Sequence, residues 1–248
     1  MLRSRQTRFV LAALCVAGCS QGDQPATETE YRGPDVEMAF LDAETRLIRS
    51  PATQIDFTVT AVGAVTASIE GVLYLERRDR GRLRASGTFA GQPVDLRLIS
   101  DGARMVGGAV GQTFDMDAPP RLREAFVIGL TRMGILHNLA RLTGGQPPER
   151  ADGTVKQWLG LSNFVSRQAP SDPARALWPA TFDLAVGGEP SAVATVWIDR
   201  AGLPKRREQT VQFENGEMRV GEEYTVTERE VDETPDRFRV VPSGELHR

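Results

Sequence analysis

The stretch Ile55–Ser100 constrains the fold of this 248-residue chain more than any other part of the sequence. Apolar and polar side chains alternate along it, first in IDFTVT from Ile55 and again around Leu73, Leu83 and Leu96. A period of two predicts strands with one buried and one exposed face. Because the connecting segments are short, consecutive strands are expected to pair antiparallel. We therefore predict a twisted or curved meander whose apolar face must be covered by another part of the chain.

Two helices are predicted on either side of this meander. Helical spacing and a following proline predict a first helix over Val36–Arg49. After two more short strands, Pro119 and Pro120 precede a longer helix over Arg121–Thr143, whose apolar face is unusually wide. We expect this second helix to lie across the apolar face of the sheet.

The second half of the chain returns to the strand pattern. Gln146–Trp178 has no clear periodicity and is predicted as loop with short helical turns, whereas three or four further antiparallel strands are predicted from Ala180 onward. No strand–helix–strand alternation occurs, which argues against a parallel sheet. The predicted fold class is α+β, with one large antiparallel sheet and helices held against its apolar face.

The first residues predict a lipoprotein signal peptide over residues 1–18. Arg3, Arg5 and Arg8 precede the apolar run Phe9–Ala17, which is shorter than the ~18 residues needed to span a bilayer. Small residues directly before Cys19 resemble a bacterial lipobox, which implies cleavage before Cys19 and diacylation of its sulfur. A plain signal peptide with an incidental cysteine is the alternative.

The composition of the mature chain argues against two kinds of function, thiol chemistry and nucleic-acid binding. The two cysteines of the sequence are Cys15 and Cys19, so no disulfide or thiol chemistry is expected after cleavage. Cleavage would also remove three arginines and no acidic residue, which changes the formal net charge from −3 to −6. An exported acidic protein is a poor candidate for nucleic-acid binding.

Residues 19–34 are predicted as a lipidated N-terminus and a flexible tether, because they are polar and without apolar pattern. Ser20 stands where an aspartate would favour retention in the inner membrane, so we expect anchoring at the periplasmic face of the outer membrane. The folded domain is predicted over residues 35–241 and a charged C-terminal tail over residues 242–248.

No catalytic or metal-binding pattern stands out. His137 lies within the apolar helix and His247 near the C-terminus, and no nucleophile elbow, HExxH motif or EF-hand loop is present in the sequence. We therefore expect a protein that is not an enzyme, without metal or cofactor. The arginine-rich turn at residues 77–84 could bind anionic head groups or an acidic partner, or could be a solvated hairpin tip.

Several motifs, in this order, resemble the LolA/LolB-like (lipoprotein-carrier, LppX-like) superfamily. They are Asp56-Phe57, the G-x-L-x-L strand from Gly71 to Leu75, Leu83-Arg84, the turn at Asp101-Gly102, and the hairpin I-D-x-x-G-x-P from Ile198 to Pro204. One departure is the turn after Arg77, where the family often has a proline and this chain has Arg78.

The resemblance implies an unclosed β-barrel with helices as a lid over a cavity for acyl chains. The side chains that it suggests for this cavity are Phe57, Leu73, Leu75, Leu96, Leu98, Phe126, Leu130, Met133, Phe182, Leu184, Val211 and Phe213. Its implied partners are the acyl chains of a lipid or lipoprotein, the membrane through Cys19, and an envelope protein; we expect a monomer. The alternatives are the same fold with a filled core as an interaction or sensor module, and an unrecognised envelope enzyme.

Overall fold

The computed structural model describes residues 36–148, 154–166, 177–213, 216–231 and 235–247. The predicted signal peptide, Cys19 and the predicted tether lie outside the described residues. Among those described, no helix is both long and apolar enough to cross a membrane.

One sheet of eleven strands dominates the described chain, and every neighbouring pair is antiparallel. The strand order is β6-β5-β4-β3-β2-β1-β11-β10-β9-β8-β7, so β6 and β7 form two separate edges and the barrel is not closed. The predicted α+β class with a single curved antiparallel sheet is thus confirmed. The strands are β1 (Ala52–Gly63), β2 (Ala67–Glu76), β3 (Arg80–Phe89), β4 (Gln92–Asp101), β5 (Arg104–Ala109), β6 (Gln112–Asp117), β7 (Leu159–Ser166), β8 (Trp178–Val186), β9 (Glu189–Ile198), β10 (Pro204–Phe213) and β11 (Gly216–Arg229).

The predicted meander forms β1 to β4, in the predicted sequential order. Its inner face, which carries Phe57, Leu73 and Leu83, is turned toward the helices and is buried. A Cβ at Gly71 would lie 2.7 Å from Cζ of Phe57, so this glycine leaves space for the ring directly above the backbone. Alternation in the sequence therefore corresponds to the inner and outer faces of the sheet.

The first helix, α1 (Val36–Arg49), has the predicted bounds. The predicted single helix over residues 121–143 is wrong, because the chain there forms α2 (Leu122–Ile128), a π-helical turn (Gly129–Met133) and α3 (Ile135–Thr143). The break lies at Gly134, whose φ of 90° and ψ of 162° are outside the helical region. We call α2, the π-helical turn and α3 together the helical layer.

The weakly patterned segment before Trp178 contains a short helical turn, as predicted, and a strand that the sequence did not indicate. A short helix, α4 (Val155–Trp158), leads into the edge strand β7, which pairs with β8. The register of β7 shifts between Ser162 and Val165, and Asn163 has a φ of 54°. This bulge interrupts the period of two and explains why the strand was missed.

Residues 235–247 cross the outer face of the sheet, opposite the helical layer. The ring of Phe238 lies 5.7 Å from that of Tyr74 on β2, and Phe238 is buried. Farther along, Nη1 of Arg97 donates to the carbonyl oxygen of Leu246 at 2.9 Å. Much of the predicted tail therefore contacts the sheet.

The arginine-rich turn between β2 and β3 has a structural role that neither interpretation of the sequence included. The carboxylate of Asp79 accepts hydrogen bonds from the N–H groups of Arg121 (3.0 Å) and Arg123 (3.1 Å). These groups lie at the start of α2, where N–H groups lack helical partners. Arg77 and Arg78 remain exposed, while Asp79 attaches the helical layer to the meander.

Candidate functional site

The candidate site is the apolar interior between the inner face of the sheet and the helical layer. Most of the side chains that the resemblance suggested meet there in one buried cluster. They are Phe57, Leu73, Leu75, Leu96, Leu98, Phe126, Leu130 and Leu184.

The other suggested side chains lie elsewhere. Met133 and Val211 are partly buried at the margin of this cluster. Phe182 belongs to a second cluster under α1, where its ring lies 5.0 Å from that of Phe40. Phe213 is 45% exposed, because it ends β10 at the hairpin to β11 and does not contribute to the buried clusters.

The interior is filled in this structure. Leu73, Leu96 and Leu98 of the sheet and Ile128 and Leu139 of the helical layer have no solvent-accessible surface. A side chain that lines a water-sized space exposes surface to that space, so these positions adjoin none. Helical side chains therefore occupy the volume that the resemblance would assign to a ligand.

A buried ion pair attaches the π-helical turn to α1. Nε and Nη2 of Arg132 each lie 2.8 Å from an oxygen of the Glu44 carboxylate, and Nη1 donates to the carbonyl oxygen of Leu159 at 2.8 Å. The hydroxyl of Thr131 also donates to Glu44, at 3.1 Å. Two parallel hydrogen bonds to one carboxylate fix the guanidinium orientation. One arginine thus joins α1, the helical layer and the start of β7.

A second buried carboxylate attaches α3 to the sheet. Glu222 of β11 accepts hydrogen bonds from the N–H groups of Ile135 (3.0 Å) and Leu136 (3.1 Å), and from the hydroxyl of Tyr224. A negative charge is favoured at a helix N-terminus, where these N–H groups have no helical acceptor. A Cβ at position 134 would lie 2.6 Å from Oε1 of Glu222, so any larger residue there would force the carboxylate to shift.

The protonation of Tyr224 is consistent with its role as donor. Burial, together with the charge of Glu222, raises the pKa of Tyr224 well above 10.0. The phenol therefore stays protonated at physiological pH and can donate to the carboxylate.

Two further arginines are buried between sheet and helices. Nη2 of Arg207 donates to the carbonyl oxygen of Arg132 at 2.7 Å, and Nη1 donates to Gln209. Burial lowers the pKa of Arg207, and the charge of Glu222 acts in the opposite direction. Arg123 donates to the carbonyl oxygens of Leu47 and Pro51, and burial likewise lowers its pKa.

These polar groups were missed at the sequence level, although the pattern contains a signal for two of them. Glu44 follows Phe40 by four residues and precedes Leu47 by three, which places it on the apolar side of α1. Glu222 alternates in phase with Val220 and Tyr224, which places it on the inner face. A charged residue in phase with apolar ones predicts a buried polar contact.

Other cavities lie outside this interior. An open groove of about 600 Å³ on the outer face is lined by residues of both charges, among them Asp56, Glu70, Arg84 and Glu223. A smaller slot of about 200 Å³ lies beside the start of α1. The charged lining of the groove does not suit an acyl chain.

The described residues contain no group of three or more histidine, cysteine, aspartate or glutamate side chains that could hold a metal ion. The two histidines lie on opposite sides of the sheet. The ring of His137 in α3 is 6.1 Å from that of Trp158, and Nδ1 of His247 is 3.3 Å from the carboxylate of Asp95 on the outer face.

No protein-family model and no curated protein matches this chain. Similar solved structures include LprF from Mycobacterium bovis, with 10% identity, a TM-score of 0.36, and coverage of 78% of this chain and 92% of LprF. A LolA superfamily protein from Nitrosomonas europaea has 7% identity and a TM-score of 0.36 over 83% of this chain and 97% of that protein. MucB, solved in complex with MucA(peri), has 14% identity and a TM-score of 0.33 over 83% of this chain and 60% of the MucB chain.

At such TM-scores the superpositions are loose, and no ligand or binding mode is carried over from them. The description of the fold as an unclosed antiparallel sheet with helices on one face rests on the strand order and packing of the chain itself.

Proposed function

We propose that this chain is an envelope lipoprotein whose interior binds acyl chains of a lipid or lipoprotein when the helical layer moves away from the sheet. Lipidated Cys19 would hold it at the periplasmic face of the outer membrane. Its role there would be non-enzymatic, in transport, sorting or assembly.

The observation that supports acyl binding is the way in which the inner face is covered. An extended apolar surface of the sheet is covered by a helical layer that is interrupted by a π-helical turn and by Gly134. The polar contacts of this layer are made by a small number of side chains, which are Glu44 with Arg132, Asp79, Glu222, Arg123 and Arg207. Such a cover can separate from the sheet as a unit, which a continuous second sheet could not do.

Burial of the acyl chain would compensate part of the cost of such an exchange. An acyl chain that buries ten methylene groups gains about 8 kcal/mol. This gain would offset part of the free energy that is lost when the helical layer leaves the apolar face of the sheet. The ligand would replace helical side chains such as Phe126 and Leu130 against the inner face.

Binding can be tested with delipidated protein and an environment-sensitive fatty-acid probe, followed by native mass spectrometry after exposure to a membrane extract. We expect saturable probe binding and a bound lipid mass. Because Glu222→Gln weakens the attachment of α3, this variant should bind the probe faster than the wild type. Glu223→Gln, at the neighbouring exposed position on the same strand, is the matched control and should bind at the wild-type rate.

A filled-core interaction or sensor module is the second candidate, and the absence of accessible surface at Leu73, Leu96 and Leu98 favours it. The same experiment separates the two functions. If neither the wild type nor Glu222→Gln binds probe or lipid, while Glu222→Gln is measurably less stable, the interior is a core and acyl binding is refuted.

The proposed anchor is tested independently of the interior. Cys19→Ser should move the protein from the membrane fraction to the soluble fraction of cells, because the lipid attachment is lost. Retention of the variant in the membrane fraction would contradict anchoring through Cys19.

A further inference from the structure

An apolar surface with one cation surrounds the start of α1, and nothing in the proposed interior site uses it. We call it the Trp178 surface; it consists of Val36, Ala39, Trp178, Pro179, Ile198 and Arg200, which line the slot of about 200 Å³. Trp178 is 49% exposed, although it is the largest apolar residue type. A tryptophan that is buried on one side and exposed to solvent on the other is typical of interfaces.

The exposure of Trp178 follows from where the inner face is covered. Trp178, Ala180 and Phe182 alternate on the same face of β8, and α1 covers the latter two through Phe40. Ala180 and Phe182 are buried at 2% and 0%, whereas Trp178 lies at the strand end beside Val36. The apolar face of β8 thus continues to an exposed end.

Two charged residues line this slot, Arg200 and Asp199. Arg200 is exposed and makes no ion pair with any described residue. The neighbouring Asp199 accepts hydrogen bonds from the N–H groups of Ala201 and Leu203, and its carboxylate lies 3.4 Å from Nζ of Lys205. Glu37, in the first turn of α1, is the nearby exposed acid on that helix. Arg200 is therefore available for an anionic partner.

The position of this surface in the chain indicates its partner. The 16 residues from Ser20 to Asp35 separate Cys19 from Val36, which itself lines the slot. Even fully extended, a segment of this length spans no more than about 55 Å. A lipid on Cys19 would therefore keep this end of the domain close to a bilayer.

We propose that the Trp178 surface docks on the bilayer that holds the lipid anchor. The indole would lie at the boundary between head groups and acyl chains, and Arg200 would contact anionic phosphates. This inference rests on the proposed function for the lipidated Cys19 alone and is independent of acyl binding in the interior.

The test uses the unlipidated mature chain, residues 19–248 with Cys19→Ser, and sedimentation with vesicles of phosphatidylethanolamine and phosphatidylglycerol in a 3:1 ratio. The wild-type surface should bind these vesicles, and Trp178→Ser should weaken binding by about tenfold, as expected for loss of an interfacial aromatic side chain. Arg200→Glu should weaken it and reduce the preference over phosphatidylcholine vesicles. Val193→Ser is the matched control, since Val193 is 51% exposed on the outer face of β9 and should not affect binding.

A second measurement identifies the residue that enters the membrane. Brominated lipids should quench tryptophan fluorescence of the chain, and this quenching should be lost in Trp178→Phe and retained in Trp197→Phe. The proposal is overturned if the unlipidated chain does not sediment with anionic vesicles, or if Trp178→Ser and Val193→Ser bind alike. Vesicle binding through Trp178 without any lipid in native mass spectrometry would support docking while refuting acyl binding.

Discussion

The attachment of α3 to the sheet through Glu222 leads to a quantitative prediction for Glu222→Gln. The carboxylate accepts hydrogen bonds from the N–H groups of Ile135 and Leu136. The amide keeps one acceptor oxygen for one of them, but its NH₂ group would face the other N–H group. One unsatisfied buried donor costs about 1–3 kcal/mol. Loss of the negative charge at the N-terminus of α3 adds about 0.5–1 kcal/mol. We therefore expect a decrease of about 1.5–4 kcal/mol in the free energy of unfolding.

Urea unfolding, monitored by circular dichroism, measures this decrease. With a slope of about 1–3 kcal/mol per molar urea, the midpoint should fall by about 0.5–4 M at constant slope. Glu223→Gln is the control, because Glu223 is exposed on the outer face and its replacement should change the free energy by less than about 0.5 kcal/mol. If both variants show the same small decrease in the free energy of unfolding, Glu222 does not hold α3 and the prediction is refuted.

The remaining predictions concern the same attachments. Gly134→Ala should lower the free energy of unfolding by more than about 2 kcal/mol, because this position combines a positive φ with a Cβ that would lie 2.6 Å from Glu222. The control is Gly91→Ala, also at positive φ but with nothing within 4 Å of the added Cβ, which should cost about 1 kcal/mol in chemical denaturation. Asp79→Ala should cost about 1–2 kcal/mol by the same measurement, since α2 loses two backbone hydrogen bonds, and Arg78→Ala should be near neutral. The raised pKa of Tyr224 means that the folded chain keeps this proton above pH 10.0, where the unfolded chain loses it. The contribution of Tyr224 to the free energy of unfolding is therefore complete below that pH and decreases above it. Stability measured between pH 9 and 11 should therefore fall less steeply in Tyr224→Phe, and equal slopes would contradict a raised pKa.

The polar attachments also bear on how the interior could respond to a ligand. Buried ion pairs contribute little net stability but are costly to break on one side only. A helical layer held by Glu44, Asp79 and Glu222 is therefore expected to stay closed until all of its contacts are exchanged together. This is the behaviour required of a cover that opens for a ligand and otherwise excludes water from an apolar face.

Much of the architecture could be predicted from the sequence because local patterns determine it. Alternation around Phe57 and Leu73 predicted the strands and the buried face, and short turns predicted their sequential pairing. Helical spacing gave α1 with its observed bounds. The edge strand β7 was missed, since the bulge at Asn163 removes the period of two on which prediction depends.

The sequence by itself determined which side chains turn away from water and that the apolar face needs a cover. Only the tertiary structure decided how that face is covered, because the outcome depends on contacts between residues far apart in the chain. The helical layer breaks at Gly134, and α3 begins at Ile135, whose N–H group donates to the Glu222 carboxylate 87 residues away in the chain. Likewise, the packing of α1 across β8 and β9 decides that Phe182 is core while Trp178, four residues earlier, remains exposed. Periodicity assigns a face to each residue, but the extent of the covering layer determines which part of that face is core and which part is surface.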